Sequence, residues 1–214
     1  MTVDPATLVT GVLLAGGQSR RMGGGDKALC DLAGRPMLAH VIERLSPQVG
    51  RLVLNANGNP VRFADFGLTI IADRDETSAG PLAGLLAALR WTQIETPQAR
   101  WVLTASSDAP FLPLDLVLRL VESASASADS VAFAASGGRA HPVIGLWPVD
   151  LADDLERQFD AGMRKMLDWA QCHASVAVEF PFMRFHGRMI DPFFNVNTPE
   201  ELAEARALIE SRAQ

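Results

Sequence analysis

A glycine-rich, cationic segment near the N-terminus is the part of the sequence best suited to chemistry. It follows a short apolar run, Gly11 to Ala15, typical of a buried strand, and it contains five glycines, two arginines and a lysine. Glycines let the backbone approach a ligand without a Cβ in the way, and successive backbone N–H groups bind anions. Arg20, Arg21 and Lys27 add full charges, which strengthen such hydrogen bonds. The segment is therefore predicted to bind a polyphosphate.

The spacing of the cations narrows the kind of phosphate site. An ATPase P-loop ends in Gly-Lys-Ser/Thr, whereas Lys27 lies between Asp26 and Ala28 and has no hydroxyl beside it for magnesium. Residues 23–28 formally fit the dinucleotide fingerprint, but they lie far beyond the strand, and no acidic residue ends a second strand about twenty residues on. The P-loop is excluded and the dinucleotide match is weak. A solvated surface loop, the remaining alternative, has no use for so many glycines and cations.

Strand and helix patterns alternate through the first 123 residues. Short apolar runs alternate with stretches in which apolar residues recur at helical spacing. Strands are predicted at Arg51–Leu54, Leu68–Ala72 and Trp101–Thr104, and helices at Pro36–Leu45, Leu82–Trp91 and about Pro113–Ser123. The alternation predicts an α/β fold, a three-layer, Rossmann-like, mostly parallel sheet with helices on both faces.

The second half of the chain is less regular. Strands are predicted at Ser130–Ala134, Val143–Trp147 and Ser175–Phe180, and helices at Leu151–Ala161 and Met163–Ala170. Thr198, Pro199 and Glu201 form a capping box that begins a last helix. We expect one domain over residues 1–214, with a nucleotide-binding half at about 9–123 and an acceptor-binding half at about 124–214.

Polar residues follow the predicted parallel strands at their carboxyl ends, where ligands bind in such sheets. They are Gly16, Gly17, Asn55, Asp73 and Asp108. We expect them to line one crevice.

This crevice has the side chains for magnesium-assisted nucleotide chemistry. A divalent metal is expected to bridge a nucleoside triphosphate to the protein, and Asp108 is predicted to be the carboxylate that binds Mg²⁺. Asp73 is a second carboxylate, placed to accept from a base or ribose or to lie near the metal. Lys27 suits the α-phosphate, where charge rises during transfer, and the fork of Arg21 suits terminal phosphate oxygens. An acceptor phosphate would then attack the α-phosphorus and expel pyrophosphate, without a covalent enzyme intermediate.

The overall composition excludes some function classes. The net charge of −6 argues against a nucleic-acid partner, which requires a basic face. Two cysteines form no disulfide framework, so reduced thiols in a cytoplasmic protein are expected. The sequence has no signal-peptide pattern and no apolar run of about 18 residues, so no membrane association is expected.

The signature residues resemble a known family. Leu14-Ala15-Gly16-Gly17, then Arg20-Arg21-Met22-Gly23-Gly24 and Asp26-Lys27, are similar to the nucleotidyltransferases of the nucleotide-diphospho-sugar type, and most of all to the molybdenum cofactor guanylyltransferases. The resemblance implies transfer of GMP from GTP to the phosphate of molybdenum-molybdopterin, with Mg²⁺ as cofactor. Further partners would be other cofactor-biosynthesis proteins and apo-molybdoenzymes.

The resemblance also implies roles for individual residues. The nucleotide site would comprise Leu14, Ala15, Gly16, Gly17, Lys27, Asn55, Asp73, Gly80 and Asp108. Asn195 and Asn197 belong to a closing motif implicated in metal and pterin chemistry, although by themselves they also suit turn and cap positions. The segment Thr104-Ala105-Ser106-Ser107 departs from the family pattern, where Pro-Cys or Ala-Cys is expected. Candidate cations for the pterin are Arg139, His141, Arg164 and Lys165.

Three alternative functions remain open from the sequence. The chain could transfer CMP to molybdopterin, or a nucleotide to a sugar phosphate or phospho-alcohol. It could also be a non-catalytic carrier of nucleotide or cofactor, although Lys27 and Asp108 argue against this, since binding alone does not need a magnesium carboxylate at the α-phosphate.

Overall fold

The computed structural model describes residues 5–15, 26–74, 80–125 and 130–210. Its strands are β1 (Val9–Leu14), β2 (Asp31–Leu32), β3 (Arg35–Pro36), β4 (Arg51–Asn55), β5 (Thr69–Ile71), β6 (Trp101–Ser106), β7 (Val131–Ser136), β8 (Arg139–Pro148), β9 (Ser175–Glu179), β10 (Met183–Phe185) and β11 (Arg188–Ile190). Its α-helices are α1 (Met37–Leu45), α2 (Pro81–Glu95), α3 (Leu116–Ala124), α4 (Ala152–Asp160), α5 (Met166–Ala170) and α6 (Pro199–Glu210).

Seven strands form one mostly parallel sheet in the order β5-β4-β1-β6-β8-β7-β9. Only the β6–β8 and β7–β8 pairs are antiparallel among the described strand pairs of this sheet. The chain runs outward from β1 to β4 and β5 and then returns to β6 on the other side of β1. This reversal is a topological switch point, and ligands bind beyond the strand ends at such points.

The carboxyl ends of four neighbouring strands lie at the same level. Leu14 is in register with Asn55 on one side and with Ser106 on the other, and Asn55 is in register with Ile71. The polar residues that follow these strands therefore leave the sheet along a single edge.

Helices cover both faces of the sheet because its central strands are apolar on both sides. Val12 packs with α2, α4 and α5 on one face, and Leu13 packs with α1 and α3 on the other. Every residue of β1 is buried, as expected for a parallel strand between two helical layers. The predicted three-layer α/β fold is confirmed.

A smaller apolar cluster supports the last helix next to the crevice. Val196 is fully buried there among side chains of α1, α6 and the β10–β11 hairpin. The capping box at the start of α6 is confirmed: Glu201 N donates to Thr198 Oγ1 at 3.2 Å, and Thr198 N donates to Glu201 Oε2 at 2.9 Å. The segment before α6 is therefore held at both of its ends.

Some local predictions were wrong. The helix predicted from Met163 begins only at Met166, because Gly162 at φ +101° ends the preceding turn and Lys165, just before the helix, is extended. Pro36 precedes α1 instead of occupying its first turn. The short β2–β3 and β10–β11 hairpins and the 3-10 helix Pro60–Phe66 were not predicted. Within the described residues, no helix is both long and apolar enough to cross a membrane.

Candidate active site

A lysine and a carboxylate that are far apart in the sequence meet at the edge of the sheet. Lys27 Nζ lies 3.7 Å from Asp108 Oδ2 and donates a 2.7 Å hydrogen bond to Asn197 Oδ1. The Lys27 and Asp108 side chains are 22% and 16% exposed, so they are partly shielded yet open to a ligand. Asp108 follows β6 in a turn, and Lys27 begins a short 3-10 turn, Lys27–Leu29, beyond the glycine-rich segment. The structure therefore brings Lys27 and Asp108 side by side, and their functional roles stay a prediction.

The segment before α6 completes this group. Val196 N donates to Asp108 O at 2.9 Å, which joins the segment directly to the strand end that carries the carboxylate. Asn197 N donates to Glu201 Oε2 at 2.6 Å, and Asn197 Nδ2 donates to Asn195 O at 3.2 Å. The hydrogen bonds of its backbone N–H and its side-chain NH₂ therefore fix Asn197, and its side-chain oxygen accepts from Lys27.

The side-chain oxygens of the two asparagines in this segment differ in whether they have a hydrogen-bond partner. Asn195 Oδ1 is buried and has no hydrogen-bond partner among the described residues, whereas Asn197 Oδ1 is occupied by Lys27. A buried amide oxygen without a donor is costly, so Asn195 Oδ1 is the one of the two oxygens that can accept from a further donor or hold a cation. Ser106 Oγ donates to Asp108 Oδ1 and orients the carboxylate. Ser106 departs from the family pattern, and its hydroxyl group holds the Asp108 carboxylate in place.

A second carboxylate lies at the ends of β4 and β5. Asn55 Nδ2 donates to Asp73 Oδ1 at 2.9 Å, and Asn57 Nδ2 donates to Asp73 Oδ2 at 2.8 Å. Asp73 N returns a 2.9 Å hydrogen bond to Asn57 Oδ1. Asn55 and Asp73 were predicted site residues, whereas Asn57 was not, although Asn55-Ala56-Asn57 repeats the same side-chain type at the strand end. The two amides fix the Asp73 carboxylate in one orientation.

The start of α2 lies against this pair. Gly80 precedes the helix at φ +148°, a conformation open to glycine, and its carbonyl accepts from Ala83 N at 3.1 Å. A Cβ on Gly84 would lie 2.4 Å from Asn55 Oδ1 and 2.8 Å from Leu14 Cδ2. Helix α2 therefore approaches the sheet closely only because position 84 has no side chain.

Replacing Gly84 with alanine is expected to weaken nucleotide binding and to destabilise the fold. In an exposed helix this change is favourable by about 1 kcal/mol, but here the added methyl group would displace the Asn55 amide and free Asp73. We expect a net loss of about 1–3 kcal/mol in the free energy of unfolding, measured by denaturant titration. The control Ala87→Gly, on a half-buried position of the same helix, should leave nucleotide affinity unchanged. An unaltered affinity in Gly84→Ala would contradict the role given to the Asn55 side chain.

The backbone around Leu14 links the two sides of the crevice. Ala15 N donates to Asn55 O at 2.9 Å, and Ser107 N donates to Leu14 O at 3.3 Å. Leu14 and Ala15 therefore lie between the Asp73 side and the Asp108 side. The predicted phosphate-binding residues Gly16, Gly17, Arg20 and Arg21 lie outside the described residues.

The four candidate cations for the acceptor differ in their partners and exposure. Arg164 donates through Nη1 to Phe159 O at 2.6 Å, and Lys165 is 79% exposed with Asp168 at 4.0 Å. Arg139 is exposed at the start of β8. His141, farther along β8, lies in a polar cluster that sequence reasoning did not foresee.

This cluster joins β7 and β8 to the segment before α6. Ser136 Oγ lies 2.8 Å from His141 Nε2 and donates to Asp191 Oδ1 at 2.8 Å. A hydroxyl has one proton, so Ser136 accepts from Nε2–H of His141. Burial lowers the pKa of His141 below its ordinary value of 6.5, although Asp191 and Glu179 oppose that shift and Arg139 adds to it. His141 is therefore neutral at neutral pH.

Protonation of His141 is expected to lower the free energy of unfolding as the pH decreases. Because the pKa of His141 is lower in the folded state, the unfolded state binds the proton more tightly, and the contribution is complete above 6.5 and lost as the pH falls below it. We expect the loss in the free energy of unfolding between about pH 7.5 and pH 5.5 to shrink in His141→Gln. The exposed His186 supplies the control, His186→Gln. Equal losses in His141→Gln and the wild type would contradict this assignment.

Comparisons of the sequence with known proteins identify the family to which the chain belongs. Residues 11–176 match the model of the MobA-like NTP transferase domain. The chain is 49% identical to the molybdenum cofactor guanylyltransferase of Bradyrhizobium sp. (strain ORS 278), over 97% of this chain and 96% of that protein. It is 50% identical to the protein of the same name from Rhodopseudomonas palustris (strain BisB5), over 99% of both chains.

Solved structures share the fold. Molybdopterin-guanine dinucleotide biosynthesis protein A from Archaeoglobus fulgidus aligns with a TM-score of 0.70 at 24% identity, over 94% of this chain and 98% of that one. The 4-diphosphocytidyl-2C-methyl-D-erythritol synthase of Anaerococcus prevotii aligns with a TM-score of 0.69 at 10% identity, over 96% and 97%. The family-model match and the near-full-length identities show that the chain belongs to the MobA-like NTP transferase family and, within it, to the molybdenum cofactor guanylyltransferases.

Proposed function

We propose that this protein transfers GMP from GTP to the phosphate of molybdenum-molybdopterin, with Mg²⁺ as cofactor and pyrophosphate as the second product. The proposal rests on the family and on one observation, the convergence of Lys27, Asp108 and the 195–197 segment at the switch point of the sheet. A cation beside a carboxylate at this edge suits a polyphosphate bridged to the protein through a metal.

The residues present fit a magnesium ion. Mg²⁺ is usually held by one or two carboxylates, with waters and substrate phosphates completing its shell. Asp108 would supply one carboxylate, and Asn195 Oδ1, which has no hydrogen-bond partner among the described residues, would supply a neutral oxygen. The described residues contain no group of three or more His, Cys, Asp or Glu side chains able to hold a metal, which suits an ion that is shared with the substrate. When bound, the ion would neutralise phosphate charge during transfer.

Asn197 has a different role in this proposal from the metal ligand that the sequence suggested. Its oxygen accepts from Lys27 Nζ, so it orients the lysine and Asn195 is the ligand of the pair. Lys27 then places its charge against the α-phosphate. An oxygen of the acceptor phosphate attacks the α-phosphorus, the bond to the bridging oxygen of the β-phosphate breaks, and pyrophosphate carries away the electron pair. Positioning and charge neutralisation accelerate this step without a covalent intermediate.

Asp73 recognises the nucleoside in this proposal. An ionised carboxylate has about four acceptor positions, and Asn55 and Asn57 occupy one on each oxygen. The remaining positions can accept from the nucleoside, whose donors in guanosine are N1–H and N2–H₂ of the base and the ribose hydroxyls.

Pyrophosphate release tests the proposal. The protein is incubated with molybdenum-molybdopterin, Mg²⁺ and either GTP, CTP or ATP, and pyrophosphate is measured. Release with GTP alone is the expected result. Release with CTP would assign the chain to cytidylyl transfer, and no release with any nucleotide would leave a carrier function. Omission of Mg²⁺ should abolish release in the productive reaction.

A further inference from the structure

An arginine outside the crevice contacts both sides of the nucleotide site. Arg62 lies in the 3-10 helix Pro60–Phe66. Its Nη2 donates to Asn57 O at 2.6 Å and its Nη1 donates to Asn59 O. Its Nε lies 2.5 Å from Asp26 Oδ2, an ion pair without the alignment of a hydrogen bond. One guanidinium therefore contacts the residue before Lys27 and the residue that holds Asp73.

The two ends of this contact belong to different parts of the proposed GTP site. Asn57 pairs its whole amide group with Asp73, which faces the nucleoside. Asp26 O accepts from Leu29 N at 3.0 Å and so begins the turn that carries Lys27, which faces the phosphates. A shift of Asp26 would therefore displace Lys27, and a shift of the Asn57 backbone would displace Asp73.

The arrangement is more than a solvated ion pair. The Arg62 and Asp26 side chains are only 28% and 25% exposed, and the guanidinium also lies over the ring of Phe63, 4.6 Å from its centroid. Phe63 is buried in the core below α1. Exposed ion pairs contribute about 0–1 kcal/mol, whereas a planar guanidinium held by two carbonyls, a carboxylate and a ring is fixed in one orientation.

We propose that Arg62 is a positioning residue that couples the nucleoside side of the GTP site to its phosphate side. We call Asp26, Arg62 and Asn57 the Arg62 bridge. The bridge holds Lys27 and Asp73 at the separation that GTP requires, so the triphosphate and the guanosine bind better together than either side would allow alone. This inference rests on the proposed function only in taking GTP as the ligand.

Affinities for GTP and for guanosine distinguish the contact of Arg62 with Asp26, on the phosphate side, from its contact with Asn57, on the nucleoside side. Asp26→Asn removes the carboxylate charge on the phosphate side and leaves the bonds from Arg62 to Asn57 and Asn59. We expect it to lower GTP affinity about tenfold, the size of one charge-assisted contact, and to leave guanosine affinity unchanged. Arg62→Gln removes the contacts with both Asp26 and Asn57 and should weaken the binding of both GTP and guanosine. Affinities are measured by calorimetry for GTP with Mg²⁺ and by competition against GTP for guanosine.

The double variant Asp26→Asn/Arg62→Gln tests whether the effects share one contact. It should lose no more GTP affinity than Arg62→Gln alone, because the second change removes a contact that is already broken. The control Arg35→Gln breaks an exposed pair with Glu43, 2.7 Å apart, and should change neither affinity. Thermal unfolding verifies that each variant is folded, and Arg62→Lys, which keeps the charge without the fork, should lie between the wild type and Arg62→Gln.

Three results would overturn the bridge: unchanged GTP affinity in Asp26→Asn, an equal loss for guanosine in that variant, or losses that multiply in the double variant. All three measurements concern binding and not turnover. A wild-type protein that binds GTP but transfers no GMP would therefore overturn the proposed function and leave the bridge to be judged by these affinities.

Discussion

Replacing Asp108 with asparagine is expected to lower the rate of pyrophosphate release by about a thousandfold, the upper range for the loss of one electrostatic group in a catalytic site. The substitution keeps the shape of the side chain and its contact with Ser106 but removes the negative charge. The metal would lose its only protein charge among the proposed ligands, and Lys27 would lose the carboxylate 3.7 Å away. The measurement is the initial rate with GTP and molybdenum-molybdopterin over a range of Mg²⁺ concentrations.

The magnesium dependence distinguishes a ligand from a residue that only supports the fold. Because asparagine cannot replace the charge, raising Mg²⁺ should not restore the rate of Asp108→Asn. The matched control is Asp115→Asn, a 57% exposed carboxylate just before α3, which should keep the wild-type rate. A variant at position 108 that stays folded and turns over at nearly the wild-type rate would refute the metal assignment.

The position of the site was predictable because parallel strands end at a common edge. Leu14, Asn55, Ile71 and Ser106 are in register, so the polar residues that follow them in the sequence also lie near one another in space. Asn55, Asp73 and Asp108 could be identified in this way from the spacing of apolar runs alone. An apolar run followed by a polar residue is a local pattern, yet it predicts which distant residues lie close together, because the βαβ connection fixes the direction of each strand.

The contacts that orient these side chains were not predictable in the same way. Arg62 lies in a short 3-10 helix of mixed apolar and polar residues, and its partner Asp26 is far away in the sequence, so neither residue has a local signal. Asp191 and Ser136 are likewise joined only by the tertiary fold. The sequence predicted the same role for Asn195 and Asn197, whereas in the structure Lys27 donates to Asn197 Oδ1, and Asn195 Oδ1 has no hydrogen-bond partner among the described residues.

Replacing Lys27 with alanine is expected to weaken GTP binding and to slow transfer together. The lysine is the described cation nearest to Asp108, in a protein of net charge −6, so without it the α-phosphate would meet the Asp108 carboxylate with no cation paired to it. We expect kcat/KM for GTP to fall about a hundred- to a thousandfold, with a part of the loss in kcat because charge on the α-phosphate grows during transfer. Steady-state kinetics and calorimetry with GTP measure the two parts separately.

Asn197→Ala separates the orientation of Lys27 from its charge. The lysine keeps its charge in this variant but loses the 2.7 Å hydrogen bond that directs it, so GTP should still bind while kcat falls, by about tenfold. The control Arg157→Ala removes a cation whose side chain is 75% exposed on α4 and should change neither constant. Unchanged GTP affinity together with unchanged turnover in Lys27→Ala would remove the lysine from the site. An Asn197→Ala variant that loses GTP affinity as severely as Lys27→Ala would show instead that Asn197 binds the nucleotide itself.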